Sequence, residues 1–97
     1  MLEQITEKIK MRVGEDCGLK AVLKFALDDD QYLVIDASVV PNIVHNEDQT
    51  ADCTIKVKKV DMVAIMEGKQ NAMTAFMFGK IKVEGNMGIA MNLSKIL

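Results

Sequence analysis

The spacing of apolar residues changes abruptly after Val13. Before it, Leu2, Ile5, Ile9 and Val13 recur at helical intervals, separated by Glu3, Gln4, Glu7, Lys8 and Lys10. Residues so spaced share one helical face, so the segment is an amphipathic helix with a single buried stripe. Gly14 supplies its stop. From Leu19 the period is two: Leu19, Ala21, Leu23, Phe25 and Leu27 alternate with Lys20, Lys24 and Asp28. Successive strand side chains point to opposite faces, so this pattern predicts a strand buried on one side. A chain of 97 residues has room for one such helix-and-sheet domain, spanning 1–97, and not for two.

The remaining elements follow from the same two periods. Asp28-Asp29-Asp30-Gln31 predicts a turn, because aspartate bonds its own backbone and tolerates tight bends. A second strand runs from Tyr32 to Val39, rich in β-branched residues, and Pro41-Asn42 breaks it. Ile43 to His45 forms a short third strand before the polar loop Asn46-Glu47-Asp48-Gln49. Cys53, Ile55 and Val57 alternate with Thr54, Lys56 and Lys58 in a fourth; Ile81 and Val83 alternate with Lys80, Lys82 and Glu84 in a fifth. Gly85-Asn86 is a turn, and Met87 to Leu97 forms a last helix carrying Ile89, Met91, Leu93 and Ile96.

Between the fourth and fifth strands the sequence echoes itself. Met62-x-x-Ile65-Met66-x-Gly68-Lys69 returns eleven residues later as Met73-x-x-Phe76-Met77-x-Gly79-Lys80. Each copy sets three apolar side chains on one helical face and ends in glycine, with Asp61 and Asn71 as N-caps. Two short helices are expected, each laying a Met-rich face on the sheet. Two copies are too few for a solenoid. The order is helix, four strands, two helices, strand, helix: an α+β fold with a five-stranded, mostly antiparallel sheet and helices packed on one face. Lys20, Lys24, Lys56, Lys58, Lys80 and Lys82 fall in the polar phase of the strands, which makes the other face wet and basic.

Charge and composition narrow the function. Twelve basic against fourteen acidic residues leave a net charge of -2, and with 4% aromatics there is neither the positive footprint nor the stacking surface of a nucleic-acid binder. Cys17 and Cys53 lie far apart, with no metal-ligand spacing, and read as free, buried thiols in a reducing, cytoplasmic setting. No apolar run reaches the length of a membrane span. The start, Met1-Leu2-Glu3-Gln4-Ile5, lacks the basic-then-apolar order of a signal peptide. Ser94-Lys95-Ile96-Leu97 approaches the peroxisomal S-K-L tripeptide, but Ile96 interrupts it.

The polar residues do not converge on a reaction. His45 is the lone histidine and reads as a surface strand or loop residue. Asp28-Asp29-Asp30 lacks the alternating ligands and glycine bend of a calcium loop. Cys53 on the inward phase of a strand reads as a small core residue. Gly79-Lys80 lacks the rest of a P-loop, and Gly85-Asn86-Met87-Gly88 is no dinucleotide fingerprint. No catalytic residue, metal or cofactor is expected. Methionine stands out instead: of eight, Met62, Met66, Met73, Met77, Met87 and Met91 crowd into residues 62–91. Methionine is flexible and polarizable, and it suits promiscuous apolar surfaces as well as irregular cores.

Ala51-Asp52-Cys53-Thr54-Ile55, the Gly68-Lys69 turn and the run from Ala75 to Met91 together resemble the sterol carrier protein 2 family, the nonspecific lipid-transfer proteins. Gly79-Lys80-Ile81-Lys82-Val83-Glu84-Gly85-Asn86-Met87-Gly88-Ile89-Ala90-Met91 is the most specific part. The resemblance is dense from Ala51 onward; the N-terminal half matches by pattern alone. It implies a five-stranded sheet whose helices enclose an apolar tunnel for fatty acyl chains, acyl-CoA esters, phospholipids and sterols, with no covalent chemistry. Met62, Ile65, Met66, Met73, Phe76, Met77, Met87 and Met91 match the family's cavity-facing helical segments. By period, Leu23, Phe25, Ile35, Ile55 and Val57 would supply the sheet side, and Ile5 and Ile9 would close one end.

Three departures qualify the likeness. Ala72 stands where the family often has proline, the N-terminal helix is short, and the chain stops soon after Met91, where longer relatives carry a tail. The chain begins at Met1 without a linker, as a free-standing unit would. The expectation is a monomeric, non-catalytic lipid carrier that makes transient membrane-surface contact. The alternative is a regulatory or protein-interaction module that keeps the fold with a filled core.

Overall fold

The computed structural model describes residues 1–92 and 96–97. The chain runs α1 (Leu2–Val13), β1 (Val22–Ala26), β2 (Tyr32–Asp36), β3 (Ile43–His45), β4 (Cys53–Val57), α2 (Lys59–Met66), α3 (Ala72–Met77), β5 (Ile81–Gly85) and α4 (Met87–Ala90). This is the element order that the two periods predict. The strands form one sheet in the order β3-β2-β1-β4-β5. Three pairings are antiparallel, and β1 with β4 is parallel.

The register lines up the inward side chains in rows. Val44, Ile35, Leu23, Cys53 and Gly85 lie across one row; Leu33, Phe25, Ile55 and Val83 lie across the next. The helices cover this face. Ile5, Ile9 and Val13 of α1 and Met62, Ile65 and Met66 of α2 join the strand residues in one continuous core. Arg12 ties three parts of the chain together, donating to the carbonyls of Met66 (3.0 Å) and Ile96 (3.4 Å).

The first strand is shorter than its alternation suggests. Gly18 and Lys20 have φ of 82° and 56°, outside extended geometry, so Leu19 stays out of the ladder and Ala21 joins it only through its carbonyl, which accepts the Ala37 N–H (3.0 Å), although both touch the core. The second strand ends at Asp36 rather than Val39, because the Asp36 carboxylate accepts the Ser38 N–H (3.0 Å) and bends the chain.

The outer face is only partly wet. The link from β3 to β4 must pass β2 and β1, and it crosses the outer face. Lys24 Nζ donates to Asp48 Oδ1 (2.8 Å) and to the Gln49 carbonyl (2.9 Å) on that link, and it lies 5.6 Å from the Tyr32 ring centroid. Val34, on the same face, is fully buried. His45 takes part in the same crossing. Its Nδ1 accepts the Glu47 N–H (3.1 Å), so Nε2 carries the proton and donates to Gln49 Oε1 (2.7 Å).

Two helix starts differ from each other and one differs from expectation. Asn71 caps α3, its side chain accepting the N–H groups of Met73 and Thr74. Asp61 does not cap α2, which begins two residues earlier. There Asp28, on the β1–β2 turn, accepts the Lys59 N–H at 2.9 Å. The aspartate run is thus a turn that also holds a helix start 31 residues away.

The sequence echo is also a structural echo, up to a point. Gly68 and Gly79 have φ of 77° and 76°. Lys69 N–H reaches the Ala64 carbonyl (2.8 Å) and Lys80 N–H the Ala75 carbonyl (2.9 Å), the same six-to-one closure in both copies. Burial then diverges. Met62 is 1% exposed and its counterpart Met73 is 68% exposed. Only α2 lays its Met-rich face on the sheet; α3 contacts the core through Ala72 and Ala75. The final helix is also shorter than expected, four residues from Met87, with turns at Met91 and Asn92. The expected helical position Leu93 and the Ser94-Lys95 pair of the C-terminal tetrapeptide lie outside the described residues. None of the described helices is long and apolar enough to cross a membrane.

Candidate functional site

Beside the packed core lies an apolar groove of about 310 Å³. Its floor is the inward side of β5, Ile81 and Val83. One wall is α3, through Ala72, Met73 and Phe76; the other is α4 and its following turn, through Met87, Ala90 and Met91. All eight lining side chains are apolar. The groove exists because α3 sits close to the sheet on Ala75, a small side chain, while Met73 and Phe76 stand up at the rim.

Gly85 fixes where the second wall starts. Its φ is +96°, and a Cβ there would sit 2.5 Å from the Asp52 carbonyl oxygen. That oxygen also accepts the Asn86 N–H (2.9 Å), while the Asp52 carboxylate accepts the Val22 N–H (2.9 Å). Asn86 then caps α4 by accepting the Gly88 N–H (2.8 Å). The β4 start, the β5 end and the α4 start are therefore locked at one point beneath the groove.

The fifteen residues expected to line a cavity divide into three groups. Met73, Phe76, Met87 and Met91 come together around the groove. Ile5, Ile9, Leu23, Phe25, Ile35, Ile55, Val57, Met62, Ile65 and Met66 lie in the core cluster. Ile5 and Met66 also face a cleft of about 280 Å³ between α1 and α2. Met77 lines neither and points to solvent. Sequence reasoning missed Ala72, Ile81, Val83 and Ala90; the alternation of Ile81 and Val83 already placed those two on the inward face. The resemblance implies an enclosed tunnel; the groove among the described residues is open to solvent.

The polar groups near this end are engaged in structure. Cys53 is fully buried next to Gly85 in the sheet register, as expected, whereas Cys17, expected to be buried too, is only half-buried. Burial pushes its thiol above the usual range, partly offset by the Ala90 N–H. The Lys59 N–H beside Asp28 holds that carboxyl below the usual carboxylate range. Among the described residues no three His, Cys, Asp or Glu side chains are placed to share a metal ion.

The sequence profile of the SCP-2 sterol transfer family matches residues 6–97. The chain belongs to that family. Sterol carrier protein 2 of Bos taurus is 47% identical over 55 residues, which are 57% of this chain and 10% of the bovine protein. The chain thus spans about a tenth of the length of that relative. Among solved structures, sterol carrier protein 2 like 2 of Aedes aegypti superposes with a TM-score of 0.80 at 25% identity, covering 99% of this chain and 95% of that one. Apo sterol carrier protein 2 of Yarrowia lipolytica gives 0.69 at 26% identity, covering 93% and 76%. In SCP-2 terms, the five-stranded mixed sheet with its four helices is the family's fold.

Proposed function

We propose that this SCP-2 domain is a non-catalytic carrier that holds the hydrocarbon part of a lipid in the groove between α3, β5 and α4. The observation that carries the reading is a groove whose eight lining side chains are all apolar, four of them Met73, Phe76, Met87 and Met91. At about 310 Å³ it sits at the low end of the usual range for small-molecule pockets. Moving a methylene from water into it gains roughly 0.8 kcal/mol. A long acyl chain is held without directional polar contacts, and methionine walls adapt to chains or rings of different shape. Fatty acids, acyl-CoA esters, phospholipids and sterols are the proposed ligand classes, with the polar end left in solvent. The unpaired thiols Cys17 and Cys53 support a reducing, cytoplasmic setting. The carrier acts as a single chain.

The test is native mass spectrometry of the purified protein together with displacement of a fluorescent fatty acid. Co-purified lipid and saturable displacement are expected; the absence of both would sink the reading. The filled core of ten expected cavity residues favours one second reading, an interaction module with the same fold. A protein that takes up no lipid but captures a protein partner through the same groove would establish it.

A further inference from the structure

At the end of α3 two large apolar side chains stand outside both the core and the groove. Met77 and Phe78 are each 77% exposed. They adjoin the groove's rim, since Met73 and Phe76 of the same helix form one wall. One residue further on, Gly79 turns the chain and lines a cleft of about 460 Å³ on its other side. Lys56, Lys58, Lys80 and Lys82 line that cleft, against Asp28 and Asp30. Lys56 is paired with Glu84 at 2.9 Å, and Asp28 accepts the Lys59 N–H. Among the described residues, Lys58, Lys80 and Lys82 have no carboxylate within ion-pair distance.

We propose that the turn from α3 into β5 docks on an anionic lipid bilayer. Met77 and Phe78 enter the boundary between headgroups and acyl chains, and Lys58, Lys80 and Lys82 meet the lipid phosphates. Interfacial anchors combine these two parts: an apolar insert and flanking cations drawn to negative lipid. The charge distribution argues for this occupant. The chain as a whole carries a net charge of -2 and is repelled by an anionic surface, so only a locally basic face can lead the approach. A second copy of the chain fits less well, because pairing two such tips would bring two lysine clusters together. The surface rests on the carrier reading for its purpose: docking by α3 sets the groove's rim against the bilayer that donates or receives the lipid.

The experiment is co-sedimentation of the full chain with phosphatidylcholine vesicles, with and without phosphatidylglycerol, across a salt series. Binding is expected only with phosphatidylglycerol, and to weaken as salt rises. Met77→Ser with Phe78→Ser, and separately Lys58→Gln with Lys80→Gln and Lys82→Gln, should each weaken it roughly tenfold or more. Both variants should keep the thermal midpoint and the fatty-acid capture of the parent in vesicle-free solution. Equal binding to both vesicle types, or binding unchanged in either variant, overturns the proposal. So does a dimer that Met77→Ser with Phe78→Ser dissolves. Wild-type docking with no fatty-acid capture upholds this surface while sinking the carrier reading.

Discussion

The α-carbon of Gly85 faces the carbonyl oxygen of Asp52 so closely that a Cβ would lie 2.5 Å from it. Neither partner can give way easily, because that oxygen already holds the Asn86 N–H. Gly85→Ala must therefore push two backbone segments apart and also adopt a positive φ. A cost of about 2 kcal/mol or more is expected, from left-handed strain of ~1–2 kcal/mol plus the clash. For a domain this size that lowers Tm by roughly 10 °C. Gly68 has a similar positive φ with open space around it, so Gly68→Ala should cost only the strain, ~1–2 kcal/mol. Thermal unfolding of both variants by circular dichroism decides the ranking; equal losses would mean that the Asp52 contact is slack.

Met87 and Met77 are both exposed methionines, yet only Met87 lines the groove. Met87→Asp should leave stability nearly unchanged, since an acid suits the first turn of a helix. It should weaken fatty-acid binding by roughly tenfold or more, about 1.4 kcal/mol, because the chain would have to desolvate a carboxylate. Met77→Asp should bind fatty acid in vesicle-free solution like the parent. A titration of the two variants with a fluorescent fatty acid separates them; equal affinity would place the ligand elsewhere.

Asp28 links folding to pH. Its folded-state carboxyl is held below the ordinary value of 3.8 by the Lys59 N–H. A carboxyl depressed in the folded state adds stability above its unfolded value, and that stability is lost as pH falls through the folded one. Stability should therefore decline on acidification below about pH 4, and Asp28→Ala should flatten this limb while lowering stability at neutral pH. Thermal midpoints measured from neutral to acid pH test it. An unchanged slope would show that the Lys59 contact does not persist in solution.

The two thiols should react very differently. Cys53 is fully buried and Cys17 half-buried, and burial raises the Cys53 thiol further from the reactive thiolate. A thiol reagent at neutral pH should label one cysteine per native chain, Cys17, and two after denaturation. Peptide mapping after brief labelling identifies the site; rapid modification of Cys53 would mean that the sheet opens at Gly85.

The order and kind of every element were legible from two hydrophobic periods, because each period states which side chains share a face. So were the glycine ends of α2 and α3, where the local motif fixes the local closure. Burial of the two echo copies was not. Met62 and Met73 occupy equivalent positions, but a repeated pattern tells only which face is apolar, not how much sheet is left to cover. At the β5 edge, Ala72 and Ala75 make the core contact, and the large side chains are displaced to the rim. The cap on α2 was equally hidden. Asp61 has the right local spacing, but Asp28 arrives through the tertiary fold. The groove's four missed lining residues include two alanines, whose small size carries no periodic signal.

The parallel pairing of β1 with β4 has a consequence for how the chain is made. β1 can find β2 at once, across the Asp28–Gln31 turn, but its other edge has no partner until residues 53–57 exist. At typical synthesis rates of about 5–20 residues per second, that edge stays open for a few seconds. It exposes the apolar alternation Leu23, Phe25 to any other strand nearby. The link that carries β4 into place is the same one that clasps Lys24 through Asp48 and Gln49. Loosening that clasp should therefore appear first as misassembly on the ribosome or during refolding, before it appears as a weaker finished protein.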